Sequence, residues 1–94
     1  MANVGRLHSI HPADPIQVDI CRSQIQSAGG RYCFSSNIEI RNVDGKDVII
    51  DGVHKAKACW LEGINGQVQY VSENEFLTDQ DIRNAPSLYD ITEM

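Results

Sequence analysis

The sequence predicts an α+β domain: a small antiparallel meander of about four strands within residues 31–71, with flanking helices packed on one face. Three features carry this expectation. Helix-cap signals stand on both flanks, a period-two alternation of apolar residues begins near Arg31, and turn-forming dipeptides (Asp44-Gly45, Asp51-Gly52, Asn65-Gly66) divide the middle of the chain.

Residues 1–13 hold no sustained period and include His11-Pro12, so they are expected to form a flexible N-terminal arm. Residues 14–86 form the single domain, and residues 87–94 a C-terminal tail. At the start of the domain, Asp14-Pro15-Ile16-Gln17 supplies an N-cap, a proline at the first helical position and a glutamine at the third. Gly29-Gly30 supplies a stop. On a helix, Asp19, Arg22, Ser23 and Gln26 make one polar stripe. Ile16, Val18 and Ile20 also alternate as a strand would, but the pattern breaks at Ile25, so helix is the preferred reading of 14–28.

Tyr32, Phe34, Ile38 and Ile40 share one parity, and a turn around Asp44-Gly45 returns the chain. A three-residue loop of Val43-Asp44-Gly45 faces Ile40 with Val48, Ile38 with Ile50 and Arg41 with Asp47. A two-residue loop pairs Ile40 with Ile49 and mixes the faces, so the first register is expected. After Asp51-Gly52 a strand is expected near 53–62, with His54, Ala56, Ala58 and Trp60 on one face and Lys55 and Lys57 on the other. Asn65-Gly66 then turns the chain so that Leu61 meets Tyr70 and Trp60 meets Val71. Ser72-Glu73-Asn74-Glu75 and Thr78-Asp79-Gln80-Asp81 are capping-box patterns for a kinked helix or two short ones, ended by Asn84-Ala85-Pro86.

Composition narrows the function classes. The chain has 94 residues, 41% of them hydrophobic, and a formal charge of −5. That acidity argues against direct nucleic-acid binding, which draws on basic surfaces, and against an acidic membrane surface. The longest strongly apolar run is Val48-Ile49-Ile50, and no secretory leader pattern opens the chain, so a cytoplasmic location is expected. Cys21, Cys33 and Cys59 are odd in number and irregularly spaced, which reads as free thiols rather than a disulfide scaffold.

No catalytic, cofactor or metal motif stands out. His8 and His11 have metal-ligand spacing only on a helix, and their segment does not read as one. Asp44, Asp47 and Asp51 lack the spacing of a calcium loop, and Gly29-Gly30 lacks that of a phosphate loop. His54 and Cys59 fall on opposite faces of a regular strand. The expectation is a non-enzyme, without cofactor or metal.

What does stand out is the distribution of charge. Residues 1–61 hold 7 basic and 6 acidic side chains. Residues 62–94 hold only Arg83 against Glu62, Glu73, Glu75, Asp79, Asp81, Asp90 and Glu93. Such a patch attracts a basic partner at long range. The leading expectation is therefore protein–protein binding, as an adaptor, inhibitor or accessory subunit, with Glu73, Glu75, Asp79 and Asp81 as contacts and Leu88, Tyr89 and Ile91 as apolar anchors. Two alternatives stand beside it. One is self-assembly through sheet edges, giving a homodimer. The other is a small-molecule or thiol enzyme whose site gathers His54, Cys33 or Tyr70 across the sheet.

Overall fold

A computed structural model describes residues 4–9, 13–43, 45–71, 78, 80–81 and 84–85. It shows an α+β fold with two helices and a mixed three-stranded sheet, in place of the four-stranded antiparallel meander.

Helix α1 spans Pro15–Ser27. Asp14 caps it, its Oδ1 accepting from the Ile16 N–H at 3.0 Å. At the far end the Gly30 N–H donates to the Ile25 carbonyl (2.9 Å) and the Gly29 N–H to that of Gln26 (3.1 Å). Both glycines sit at positive φ, the left-handed ending that satisfies the last carbonyls. Val18 and Ile25 are fully buried, with Cys21 half-buried between them, which is the seven-residue stripe of an amphipathic helix.

Strands β1 (Ile38–Val43) and β2 (Lys46–Asp51) form the expected hairpin, but in the other register. Val43 pairs with Lys46, Asn42 with Asp47, Arg41 with Val48 and Ile40 with Ile49; a shift then aligns Glu39 with Asp51. The loop is thus two residues, with Gly45 at φ +82°. The expected register assumed that one face of the hairpin meets solvent. Val48 and Ile49 point to opposite faces and both are buried, so the shorter loop costs no core residue its cover. The irregularity beyond Ile40 re-phases the rest.

Residues 53–61 are helix α2, not a strand. Gly52 ends β2 at φ +101°. Beyond it, Ala56, Ala58, Leu61 and the two lysines favour helix more strongly than their alternation favours sheet. Ala56, Ala58 and Cys59 are fully buried, and their small side chains let the helix lie close to its neighbours. Lys57 is also buried, its ammonium 5.0 Å from the Trp60 ring centre.

With a helix there, the next strand cannot return as a hairpin partner. β3 (Val68–Tyr70) runs parallel to β1, pairing Ile38 with Val68 and Ile40 with Tyr70, so Leu61 and Trp60 do not face Tyr70 and Val71 as strand partners. Gly66 serves packing: a Cβ there would lie 2.8 Å from both Ile38 and Val4. The strand order is β2-β1-β3.

The described part of the N-terminal arm packs onto this sheet. Val4 and Leu7 join the core with Val18, Ile25, Ile38, Ile40 and Ile49. The His8 N–H donates to the Asp47 carbonyl (2.9 Å) and the Ile49 N–H to that of His8 (2.7 Å), which pairs the outer edge of β2. Among the described residues no strand pairs with the far side of β3. Near the C-terminus, Thr78 and Asp81 exchange hydrogen bonds, Thr78 N–H to Asp81 Oδ2 at 3.0 Å and Asp81 N–H to Thr78 Oγ1 at 3.1 Å, the reciprocal pattern of a capping box.

Candidate functional site

The end of β2 and the start of α2 meet α1 around a cavity of about 540 Å³, lined by Gln17, Cys21, Ile49, Ile50, Asp51, Gly52, Val53, His54 and Lys55. Its floor is aliphatic and its rim ionisable. Asp51 is exposed, and His54 and Lys55 are half-buried in the first turn of α2. That turn has no side-chain cap and no acidic residue, so the partial positive charge of the helix end adds to that of Lys55.

Lys55 also borders a second cavity of about 430 Å³, lined by Gln24, Cys33, Phe34, Ser35 and Ser36. Its ammonium donates to Ser36 Oγ and lies 6.0 Å from the Phe34 ring centre. The Tyr32 hydroxyl donates to the Ser36 carbonyl at 2.8 Å, and its ring stands edge-on to Phe34 at 5.1 Å. The segment 32–36 is thereby folded against Lys55, which forms the wall common to both cavities.

The three thiols surround this corner at graded depth: Cys33 exposed, Cys21 half-buried and Cys59 buried. Burial raises the Cys21 pKa, with Lys55 pulling it back and Cys33 adding to the rise. Burial, and then the neighbouring Cys21 and Cys33, push Cys59 up to about 12. Tyr32 is likewise raised to about 12, first by burial and then by the three cysteines.

Of the cross-sheet site read from the sequence, His54 lines the first cavity and Cys33 the second, while Tyr70 lines neither. The Tyr70 hydroxyl donates to Asp47 Oδ2 at 3.1 Å, a bond that holds its proton and raises its pKa. Asp47 Oδ1 accepts from Asn42 Nδ2 at 2.7 Å, so this turn aspartate is engaged within the sheet. Asp81 is exposed; Glu73, Glu75, Asp79, Leu88, Tyr89 and Ile91 lie outside the described residues, as does His11. Gln17, Cys21, Asp51 and Lys55 were missed as lining residues. The signal for Asp51 and Lys55 was the run Asp51-Gly52-Val53-His54-Lys55, a glycine-led helix start with a basic first turn; Gln17 and Cys21 come from α1 and carried none.

Among the described residues no helix is long and apolar enough to cross a membrane. No model of a known protein family matches the chain. No curated protein matches it in sequence either. Among solved structures it is similar to the crystal structure of sulfiredoxin from Arabidopsis thaliana, with a TM-score of 0.57 and 16% identity, over 76% of this chain and 81% of that one. At that identity the likeness is one of fold, and the small α+β architecture is what the two proteins share.

Proposed function

We propose that the chain is a small ligand-binding domain whose site is the cavity at the amino end of α2, and that its ligand is a phosphate-bearing small molecule. The carrying observation is the cavity's lining: His54 and Lys55 stand in the uncapped first turn of α2 beside aliphatic side chains. Ligand sites are concave and mostly apolar with a few convergent polar groups, and helix starts favour anions. Asp51 on the same rim suits a hydroxyl or amino group of the ligand. The structural neighbour's name brings no substrate to this chain, because one fold hosts many activities.

Calorimetric titration with inorganic phosphate, pyrophosphate and a nucleoside triphosphate tests this reading. At least one should bind, and Lys55→Ala or His54→Ala should weaken it by about tenfold to a hundredfold, the loss of one charge-assisted hydrogen bond. Absence of binding by all three, or equal binding by the variants, would overturn it.

A second reading is favoured by the charge distribution: residues 62–94 form an acidic protein-binding surface, with Glu73, Glu75, Asp79 and Asp81 as contacts and Leu88, Tyr89 and Ile91 as anchors. Capture from native lysate at low and high salt tests it. A partner should be retained at low salt and lost both at high salt and with a folded variant carrying Gln or Asn at those four acids.

A further inference from the structure

Two of the cysteines flank Lys55. Cys21 shares the first cavity with it and Cys33 the second. Gln24, which also lines the Cys33 cavity, stands one helical turn beyond Cys21 on α1, so the two cysteines line neighbouring cavities that share α1 and Lys55 as walls. The connection between them crosses the end of α1. It leaves α1 through Gly29 and Gly30, both at positive φ, and at neither would a Cβ meet any atom within 4 Å. The loop therefore leaves α1 through a glycine pair whose N–H groups bond back to the helix, with open space where their Cβ atoms would stand.

We propose that Cys33 and Cys21 form a reversible disulfide when the protein meets a peroxide. Cys33, exposed, reacts first: its thiolate sulfur attacks one peroxide oxygen and the O–O bond breaks, giving a sulfenic acid while the other oxygen leaves as water. The Cys21 sulfur then displaces the sulfenic hydroxyl, which departs as a second water. Two thiols lose two electrons and two protons in all, and the peroxide is reduced to two waters. A dithiol restores both cysteines. Cys21, half-buried, is less open to peroxide than Cys33 and meets the sulfenic acid from within the fold, its proton passing to the departing hydroxyl. Cys59, fully enclosed, stays out of the exchange. The bond ties the loop carrying Cys33 to α1 across Lys55 and so fixes that side chain, the wall common to the two cavities. That consequence for ligand binding rests on the function proposed above, whereas the bond itself does not.

The chain's basic residues make the test direct. Cleavage after Arg and Lys puts Cys21 in peptide 7–22, Cys33 in peptide 32–41 and Cys59 in peptide 58–83. After treatment of the reduced full-length protein with hydrogen peroxide, the intact mass should fall by two hydrogens. A cross-link of peptides 7–22 and 32–41 should appear, and dithiothreitol should reverse both changes. Cys59→Ser should retain the cross-link. Cys21→Ser should leave Cys33 as a sulfenic acid that dimedone traps. Oxygen adducts without a cross-link, a bridge involving Cys59, or dimers between chains would each overturn the proposal, and the wild-type peptide map decides this without any variant. Pyrophosphate titration of the oxidised and reduced forms then reads the effect on the cavity: formation of the bond without change of affinity would overturn the coupling between them, whereas absence of binding by both forms would count against the ligand site alone.

Discussion

The two helices differ in how they are finished. α1 is closed at both ends, by the Asp14 carboxylate and by two left-handed glycines, and it leaves Ile16 and Ile20 68% and 48% exposed on its outer side. α2 buries five of its nine residues, yet starts at Gly52 with no side-chain cap and with His54 and Lys55 in the turn where a cation is disfavoured by about 0.3–1 kcal/mol. One helix carries its own local stabilisation and serves as a wall. The other is held in place by its neighbours and gives up local stabilisation at the end that opens on the cavity, the kind of inconsistency expected of a site.

The largest expected effect tests the wall. Ile25→Ala empties a fully buried position and should lower stability by about 2–5 kcal/mol in urea unfolding. Ile16→Ala, on the exposed side of the same helix, should stay within about 0.5 kcal/mol. Equal losses would mean that the outer face of α1 is covered as well. At the start of α2, Gly52→Ala forces a Cβ into a backbone at φ +101°, 3.4 Å from the Ile38 Cα, and should cost about 1–3 kcal/mol.

Smaller changes sharpen the contrast between the helix starts. Asp14→Ala should cost about 0.5–2 kcal/mol, because it orphans the first N–H groups of α1. His54→Asp works in the opposite direction. An acid in the first turn of α2 should stabilise the fold by about 0.3–1 kcal/mol while weakening pyrophosphate binding, a trade of activity for stability that a merely structural histidine would not make. Thiol alkylation maps the same corner by depth: iodoacetamide should label Cys33 first, Cys21 next and Cys59 last, since burial encloses Cys59 and pushes its thiol up to about 12.

The same contrast explains how far the sequence was readable. α1 was legible because its signals are local: the Asp-Pro start and the Gly-Gly stop act through bonds to their own backbone. The hairpin was legible in position but not in register, because the choice turned on whether both faces of β2 are covered, and cover is supplied by distant parts of the chain. α2 was illegible for a related reason. Alanine and lysine alternating over 55–58 mimic a strand, and only the propensity of those residues, with the burial of the run 56–59, makes a helix. His54 was singled out in advance, but its companions were not, since Cys21 and Gln17 reach the cavity from a helix more than thirty residues earlier in the chain.

The mildest prediction concerns the place where the two helices are joined. Glu62, the C-cap residue of α2, accepts from Arg22 Nε at 2.7 Å and from Gln26 Nε2 at 3.2 Å, so two members of the polar stripe on α1 converge on one carboxylate. Both bonds favour the ionised form, and the Glu62 pKa lies below its ordinary value. A carboxylate whose pKa is lower folded than unfolded contributes stability that is fully present above the unfolded value and is lost as pH falls through the folded one. Glu62→Gln should therefore lower the urea midpoint slightly at neutral pH, and the gap from wild type should close as the solution is acidified through the carboxylate range. Salt should narrow the gap too, because Arg22 is 37% exposed and the pair is partly screened. A gap that persists unchanged in acid would assign the loss to altered shape at the C-cap and not to the ion pair. In that case the helices would be held together at this end by packing alone.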